Sequence, residues 1–440
     1  MNNRRAILWL RNDLRLHDHE ALTLLANTMD VLAPVYCLDP RQFEIQSLGF
    51  PQIGPLRARF LIDCLEDLQA GLEARGSSLH VVLGEPEKVI PRLAQTLGVG
   101  AVYAERAVLG EAAQVERRLS DALEPLGAPL RGYWVGTLAH PSDLPFLIAN
   151  LPQQFGQFRD VALSGGEPRA PLPPLQKLPP FPAELKTPTL STLVQAVGLS
   201  IERESSEHSR FKGGATVALA RLQDFVQGRR ASLDTLRGGA GEPAVSQADQ
   251  FAPWLARGAI SPRRIYQYVK YSGLAAWAGD LATAAIDQLL RRDYFRFLAL
   301  KRGERILRSD PTSGLNNQNA RERFESWRRG ETGEPFVDAH LRELAHTGYL
   351  TPLGRRLVAS YLHHDLRLDW RWGAAWFASQ LLDDDPSVNL ACWMEAIGHW
   401  RVSDQPARLD PAEQAARHDL DGAYTRRWLG VAAPAARRLG

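Results

Sequence analysis

Between positions 165 and 190 the chain reads GGEPRAPLPPLQKLPPFPAELKTPTL, and this proline-dense stretch separates two hydrophobic rhythms. Proline at this density removes amide donors and fixes φ, so an extended spacer over the surface is expected there. A PxxP-type partner motif is the lesser alternative. Before the spacer, the first 135 residues alternate short apolar runs with amphipathic stretches. Candidate strands are Ala6–Leu10, Val31–Leu38, Leu79–Leu83, Ala101–Ala104 and Tyr133–Val135, with helical patterns such as Pro55–Gly71 and Glu111–Leu123 between them. That alternation predicts a doubly wound parallel sheet of Rossmann-like α/β type. No GxGxxG follows the first strand, so a nicotinamide dinucleotide site is not expected. Beyond residue 205 the period is helical nearly throughout, broken at Gly238–Pro243, Asp310–Gly314, Gly330–Pro335 and Asp383–Pro386. The expected architecture is α/β then all-α: a sheet domain over 1–135, an interdomain linker over 136–204 and a helical domain over 205–440.

A chain of 440 residues exceeds one ordinary core. Hydrophobic content of 45% and charged content of 23% are those of a soluble globular protein. Cys37, Cys64 and Cys392 form no CxxC or Cys/His cluster, so no metal is expected, and a reducing compartment is. The opening MNNRRAILWLRNDLRL has its apolar run broken by Arg11 and Asp13. It reads as neither a signal peptide nor a membrane span, and a cytoplasmic monomer is the expectation. A net charge of +2 leaves room for a local basic face. Five of the eleven tryptophans fall between Trp327 and Trp393, where core packing and electron transfer are both open.

Six segments carry a resemblance. They are LWLRNDLRLHDHEAL (Leu8–Leu22), GPLRARFLIDCLEDL (Gly54–Leu68), FKGGATVALARLQDF (Phe211–Phe225), RRDYFRFLALKRGERIL (Arg291–Leu307), the long run from Trp327 to Trp393, and DLDGAYTRRWL (Asp419–Leu429). In this order they resemble the cryptochrome/photolyase family, specifically its DASH branch. The resemblance covers nearly the whole chain. It implies an antenna-type α/β domain, a helical domain binding FAD, a blue-light response, and single-stranded or UV-damaged DNA as partner. The photochemistry would be the cofactor's, with the protein supplying position and electrostatics. The sequence ends soon after Trp428, which under the resemblance implies a member without the long tail of signalling cryptochromes.

The resemblance assigns roles residue by residue. Asn389 matches the residue facing the flavin N5, against a plain helix N-cap after Pro386 as the alternative. Asp383 and Asp385 match carboxylates near the flavin ring and ribityl chain, with Arg355 paired to Asp383. A solvated acidic helix start is the alternative. Trp393 and Trp370 match the two inner members of an electron relay. Asn317 falls at the third, and an amide is not oxidised there, so slow photoreduction is expected. Trp372, Trp376 and Tyr361 offer another exit, although packing is favoured for the first two.

Other matches fail. The hydroxyl-rich run that holds the FAD phosphates is replaced by Ala248, Asp249, Gln250, Phe251 and Ala252. Losing bonds to a charged group costs about 1.5–3 kcal/mol each, which Arg237 or Arg292 would have to offset. Thr235 and Leu236 lie where a tyrosine is expected. Gln288 takes the place of the lesion-bonding glutamate and Arg291 that of the stacking tryptophan, while Arg292 and Asp293 match. Pro352 and Leu353 replace an Asn-Arg pair. Glu105 and Glu111 lie near the family's antenna carboxylates but align with none, so they read as surface acids and no antenna chromophore is assigned. The leading expectation is a DASH-like flavoprotein with weak single-stranded DNA photolyase activity. The alternative is a flavin-poor, photolyase-like protein that binds nucleic acid or serves in redox signalling without repair.

Overall fold

The computed structural model describes residues 4–185, 189–198, 211–227, 251–274, 279–302, 317–400 and 408–430. The chain begins with β1 (Arg5–Leu10), α1 (Glu20–Thr28), β2 (Val31–Leu38), α2 (Pro55–Glu73), β3 (His80–Leu83), α3 (Pro86–Leu97), β4 (Val102–Glu105), α4 (Gly110–Leu123) and β5 (Leu130–Tyr133). The strands pair in parallel in the order β3-β2-β1-β4-β5. Ile7 of β1 lies opposite Ala33 of β2 on one side and Val102 of β4 on the other. Side chains alternate across a strand. Ile7, Trp9, Ala33 and Val35 therefore pack with Ile90 of α3 and Leu119 of α4. Ala6, Leu8 and Leu10 join the core that includes Phe60 and Leu61 of α2.

The fifth strand departs from expectation, forming at Leu130–Tyr133 rather than Tyr133–Val135. It is a half-exposed edge strand, so Arg131 and Gly132 are tolerated in it and the apolar signal is weak. The more apolar Trp134 leaves the sheet and stacks on Phe297 with ring centroids 6.0 Å apart.

The remainder is helical: α5 (Phe155–Ser164), α6 (Leu190–Ala196), α7 (Ala215–Gln227), α8 (Ala252–Ala256), α9 (Pro262–Tyr271), α10 (Gly279–Arg302), α11 (Gln318–Arg329), α12 (Pro335–Thr347), α13 (Pro352–Ser360), α14 (Trp370–Gln380), α15 (Pro386–Ala396), α16 (Pro411–His418) and α17 (Ala423–Leu429). Proline at the first position starts α9, α12, α13, α15 and α16, where its missing N–H costs nothing. Ser261, Thr351, Asp385 and Asp410 cap four of these with side-chain oxygens. The expected linker holds two helices, α5 and α6. Its proline-rich part is extended and bonded to the sheet half, with Leu178 N–H donating to Arg75 O at 3.0 Å.

Buried polar contacts join the two halves. Gly54 N–H donates to Ser379 O at 2.9 Å, and Arg57 of α2 pairs with Asp384 at 3.0 Å. A side chain on Gly54 would meet Ser379 O at 2.8 Å, so glycine allows this approach. Asp18, with φ +48, binds Arg263 at 2.6 Å and the Ser261 hydroxyl. Glu105 accepts from Arg296 at 3.2 Å and is 4% exposed. Glu105 is therefore not the surface acid expected from sequence, whereas Glu111 is exposed. Asp293 is fully buried and accepts from the Leu138 and Ala139 amides at 3.1 and 2.8 Å. Among the described residues no helix is long and apolar enough to cross a membrane.

Candidate functional site

A cavity of about 810 Å³ opens among α8, α10, α13, α15 and α16. Cofactor sites typically measure about 300–1,000 Å³. Helix α15 runs along its wall. Asp385, Val388, Cys392 and Glu395 line it at spacings of three and four, which put them on one helical face. Gln288, Arg291 and Arg292 approach from α10, and Pro352, Leu353 and Arg355 from α13. Phe251 and Ala252, where α8 begins, line the cavity as well. Ala248, Asp249 and Gln250 lie outside the described residues, as do Thr235, Leu236 and Arg237.

The three consecutive aspartates are all buried, and each meets an arginine from a different element. Asp383 pairs with Arg355 of α13 at 2.7 Å. Asp384 pairs with Arg57 of α2. Asp385 meets Arg292 of α10 at 3.3 Å and caps α15 through Ser387 N–H at 3.0 Å. The solvated helix start is thus excluded, although the cap is real. Burial works against the charge on Asp385, but Arg296 and Arg292 outweigh it and hold the carboxyl below its usual range. Burial wins at Asp384, which is raised in spite of Arg57. Burial also opposes the charge on Arg355, and Asp383 overcomes it, so this guanidinium stays charged above its ordinary range. The second oxygen of Asp383, Oδ1, is buried with no hydrogen-bond partner and belongs to a residue on the cavity wall.

Asn389 is not among the lining residues. Its Nδ2 donates to Ala374 O at 3.0 Å and Asp384 Oδ1 at 3.1 Å. Those two acceptors fix the amide orientation and leave Oδ1 a buried, unpartnered acceptor. Asn389 therefore keeps a free acceptor but no free donor, and it lies off the cavity wall. Arg292, the suggested phosphate partner, is already engaged. It bonds Gly136 O, Leu255 O at 3.2 Å and Asp385, so it does not replace the missing hydroxyls.

Trp393 is fully buried, and its ring neighbours are Trp327 at 6.4 Å and Phe377 at 5.1 Å. No ring contact joins it to Trp370 among the described residues, although Trp370 packs against the same cluster. Asn317 is an exposed N-cap of α11, its Oδ1 accepting from Ala320 N–H at 3.2 Å. Trp372 packs on Phe324 at 5.4 Å, and Trp376 on Phe50 at 5.1 Å beneath Arg328. Tyr361 begins a single π-helical turn after α13.

Three features of the wall escaped sequence reading: Cys392, Glu395 and the face of α16 with Glu413 and Arg417. The spacing of Asp385, Val388, Cys392 and Glu395 was the available signal for the first two. Glu395 pairs with Arg291 at 3.0 Å.

This fold and cavity define a photolyase-type flavoprotein. A family profile described as DNA photolyase matches residues 6–180, and one described as the FAD binding domain of DNA photolyase matches residues 285–437. A Cryptochrome DASH of Gloeobacter violaceus is 39% identical over 433 residues, spanning 98% of this chain and 86% of that protein. The Cryptochrome DASH of Danio rerio is 36% identical, spanning 97% of this chain and 83% of that one. The crystal structure of a Synechocystis cryptochrome superposes with a TM-score of 0.85 at 37% identity, covering 98% of this chain and 90% of that one. A bacterial class III photolyase from Agrobacterium tumefaciens gives 0.78 at 26% identity, covering 98% and 87%. The chain belongs to the cryptochrome/photolyase family, in its DASH branch, and its cofactor is FAD. The cavity fits such a group, since Asp383 on its wall keeps one buried carboxylate oxygen unpartnered.

Proposed function

We propose that the protein is a blue-light-responsive flavoprotein whose cavity holds the flavin ring against Arg355, Asp383 and Asp385, with Asn389 behind that wall, and whose rim meets DNA, single-stranded or UV-damaged. FAD, once reduced and excited, supplies a one-electron donor. The residues do the rest. Arg355 fixes Asp383 so that Oδ1 offers an acceptor from a rigid wall. Arg292 and Arg296 keep Asp385 ionised at the start of α15. Phe251, Leu255 and Leu289 exclude water from the apolar side. Arg408 and Arg417 place guanidinium groups at the exposed rim, where phosphates would compete with their surface carboxylate partners Asp365 and Glu413.

The observation that carries this reading is the buried Arg355–Asp383 pair with one carboxylate oxygen left over on the cavity wall. A carboxylate acceptor so placed wants a ligand donor. Purified protein should carry flavin absorbance, and Asp383→Ala should strip it. A colourless protein that takes up no FAD on reconstitution would reject the proposal. Weak repair of dimers in single-stranded DNA belongs to the same reading, as does a cytoplasmic monomer. The three cysteines form no disulfide, which suits a reducing compartment.

A further inference from the structure

Arg257 follows α8 directly and is 5% exposed, and its carbonyl accepts from Leu14 N–H of the sheet half at 3.1 Å. Its guanidinium makes one long hydrogen bond, from Nη1 to Asn12 Oδ1 at 3.4 Å. Nε and Nη2 are buried with no hydrogen-bond partner among the described residues. These two nitrogens share one edge of the planar group, the edge that grips an oxyanion with two parallel bonds. Arg263 offers that edge to Asp18 at 3.0 and 2.6 Å, and Arg169 offers it to Asp143 at 2.6 and 2.7 Å. Among the described residues no carboxylate takes it at Arg257.

The surroundings hold one positive charge too many. Arg57 of α2 is buried as well, and it pairs with Asp384 at 3.0 Å. Burial lowers the Arg57 guanidinium to about 10; Asp384 opposes the fall and the Arg257 charge adds to it, so the two cations feel each other. Tyr36 of β2 and Cys64 of α2 face the same spot, and burial keeps both neutral, the phenol and the thiol each rising to about 12 against the pull of Arg257. Other nearby carboxylates are committed elsewhere, Asp63 to Arg59, Asp383 to Arg355 and Asp385 to Arg292. Two guanidinium ions therefore share Asp384. A buried ion without a partner is costly, and an anion removes that cost. Arg257, Arg57, Tyr36, Cys64 and Asp384 all lie off the flavin cavity.

We propose that the seam between the two halves holds one small monovalent anion, of chloride or nitrate type, on the Nε–Nη2 edge of Arg257. One excess charge calls for one negative charge, and an interior position admits only a small ion. Such an ion completes the polar seam that Asp18, Arg57 and Glu105 build elsewhere, and it stabilises the folded chain by mass action. It is a structural ion of the interface, independent of what the flavin cavity holds.

The test is urea unfolding of the full chain as purified, with ionic strength held constant while sodium chloride replaces sodium gluconate, whose anion is too large to be buried. Once the site is filled, one bound ion makes the folding equilibrium constant rise in proportion to chloride, so about tenfold between about 20 and about 200 mM. Arg257→Met keeps an unbranched side chain there and removes the edge, so its unfolding should not respond to the exchange. A parent that does not respond, or a variant that responds as the parent does, overturns the proposal. Bromide in crystals of the parent supplies a second measurement that stands whether or not Arg257→Met folds. Its anomalous scattering should place the ion within hydrogen-bonding distance of Nε and Nη2. Bromide found elsewhere in the seam, or absent from it, overturns the proposal as well.

Discussion

Gly373 lies inside α14, where an alanine would ordinarily stabilise a helix by about 1 kcal/mol. Here the opposite is expected. A Cβ at this position would stand 2.1 Å from Cη2 of Trp393, 2.6 Å from Cζ2 and 3.0 Å from Cζ3. Ordinary contact begins near 3.4 Å, so the indole would have to retreat by about 1.3 Å. It has little room to do so, being fully buried between Trp327 and Phe377. Overpacking of this kind costs about 1–3 kcal/mol, and a ring boxed on both sides belongs at the upper end. After the helix gain, Gly373→Ala should be destabilised by roughly 2 kcal/mol in urea unfolding followed by circular dichroism. All three clashing atoms belong to the six-membered ring of the indole. Trp393→Phe should therefore cost less in the Gly373→Ala background than alone, with a coupling of about 0.5–3 kcal/mol. Because Trp393 lies in the helix that lines the cavity, flavin retention should fall along with stability. A Gly373→Ala protein as stable as the parent, or more so, would refute the reasoning, since helix propensity alone predicts that sign.

Other expectations follow from the same contacts. Asp383→Asn leaves Arg355 charged and buried beside a neutral amide, which should cost about 3–5 kcal/mol and lower FAD affinity at least tenfold, measured by flavin fluorescence titration. Arg57→Met should destabilise by a similar amount by removing the charge that offsets Asp384, and adding Asp384→Asn should recover part of it in denaturant titrations, the bonds of Arg57 to Gln52 O and Ala378 O staying lost. Burial raises Asp293 to about 7, against the Ala139 and Leu138 amides and the charges of Arg292 and Arg296. The folded state then holds a proton that the unfolded chain has lost, so this group's contribution to stability is present at acid pH and declines from about pH 4 to 7. Asp293→Asn should flatten that part of the profile when unfolding is compared at pH 5 and pH 7. Asn317→Trp removes the cap of α11 and should cost about 0.5–2 kcal/mol in thermal unfolding.

The sheet was legible because a parallel, doubly covered sheet writes itself as apolar runs, and β1 to β4 formed within a residue of expectation. The edge strand β5 was not legible, because one flank of it needs no apolar residue. The breaks ending at Pro335 and Pro386 were legible because α12 and α15 begin at those prolines, the first helical position of each. At the site, sequence named Arg355, Asp383 and Asp385, and the structure brings them to one wall. It left Asp384 without a role, because its partner Arg57 lies more than three hundred residues earlier. Arg291 read as a substitution in a pattern, and its meaning depended on Glu395, a contact between helices that no local spacing records. Asn389 stands off the cavity wall, and its donor is taken by a neighbouring carbonyl and carboxylate, a contact that sequence spacing does not record.

The proline-rich stretch that divides the sequence does not divide the protein. Asp18, Arg57 and Glu105 on the sheet side meet Arg263, Asp384 and Arg296 on the helical side, mostly out of water. Each half carries buried charges that pair with the other. Cut at the spacer, the chain would yield two fragments, each exposing desolvated ions and a raw apolar face, and neither would be a protein in its own right. The spacer is thus a seam sewn across a single body rather than a hinge between two, and swinging the halves apart would break those buried ion pairs.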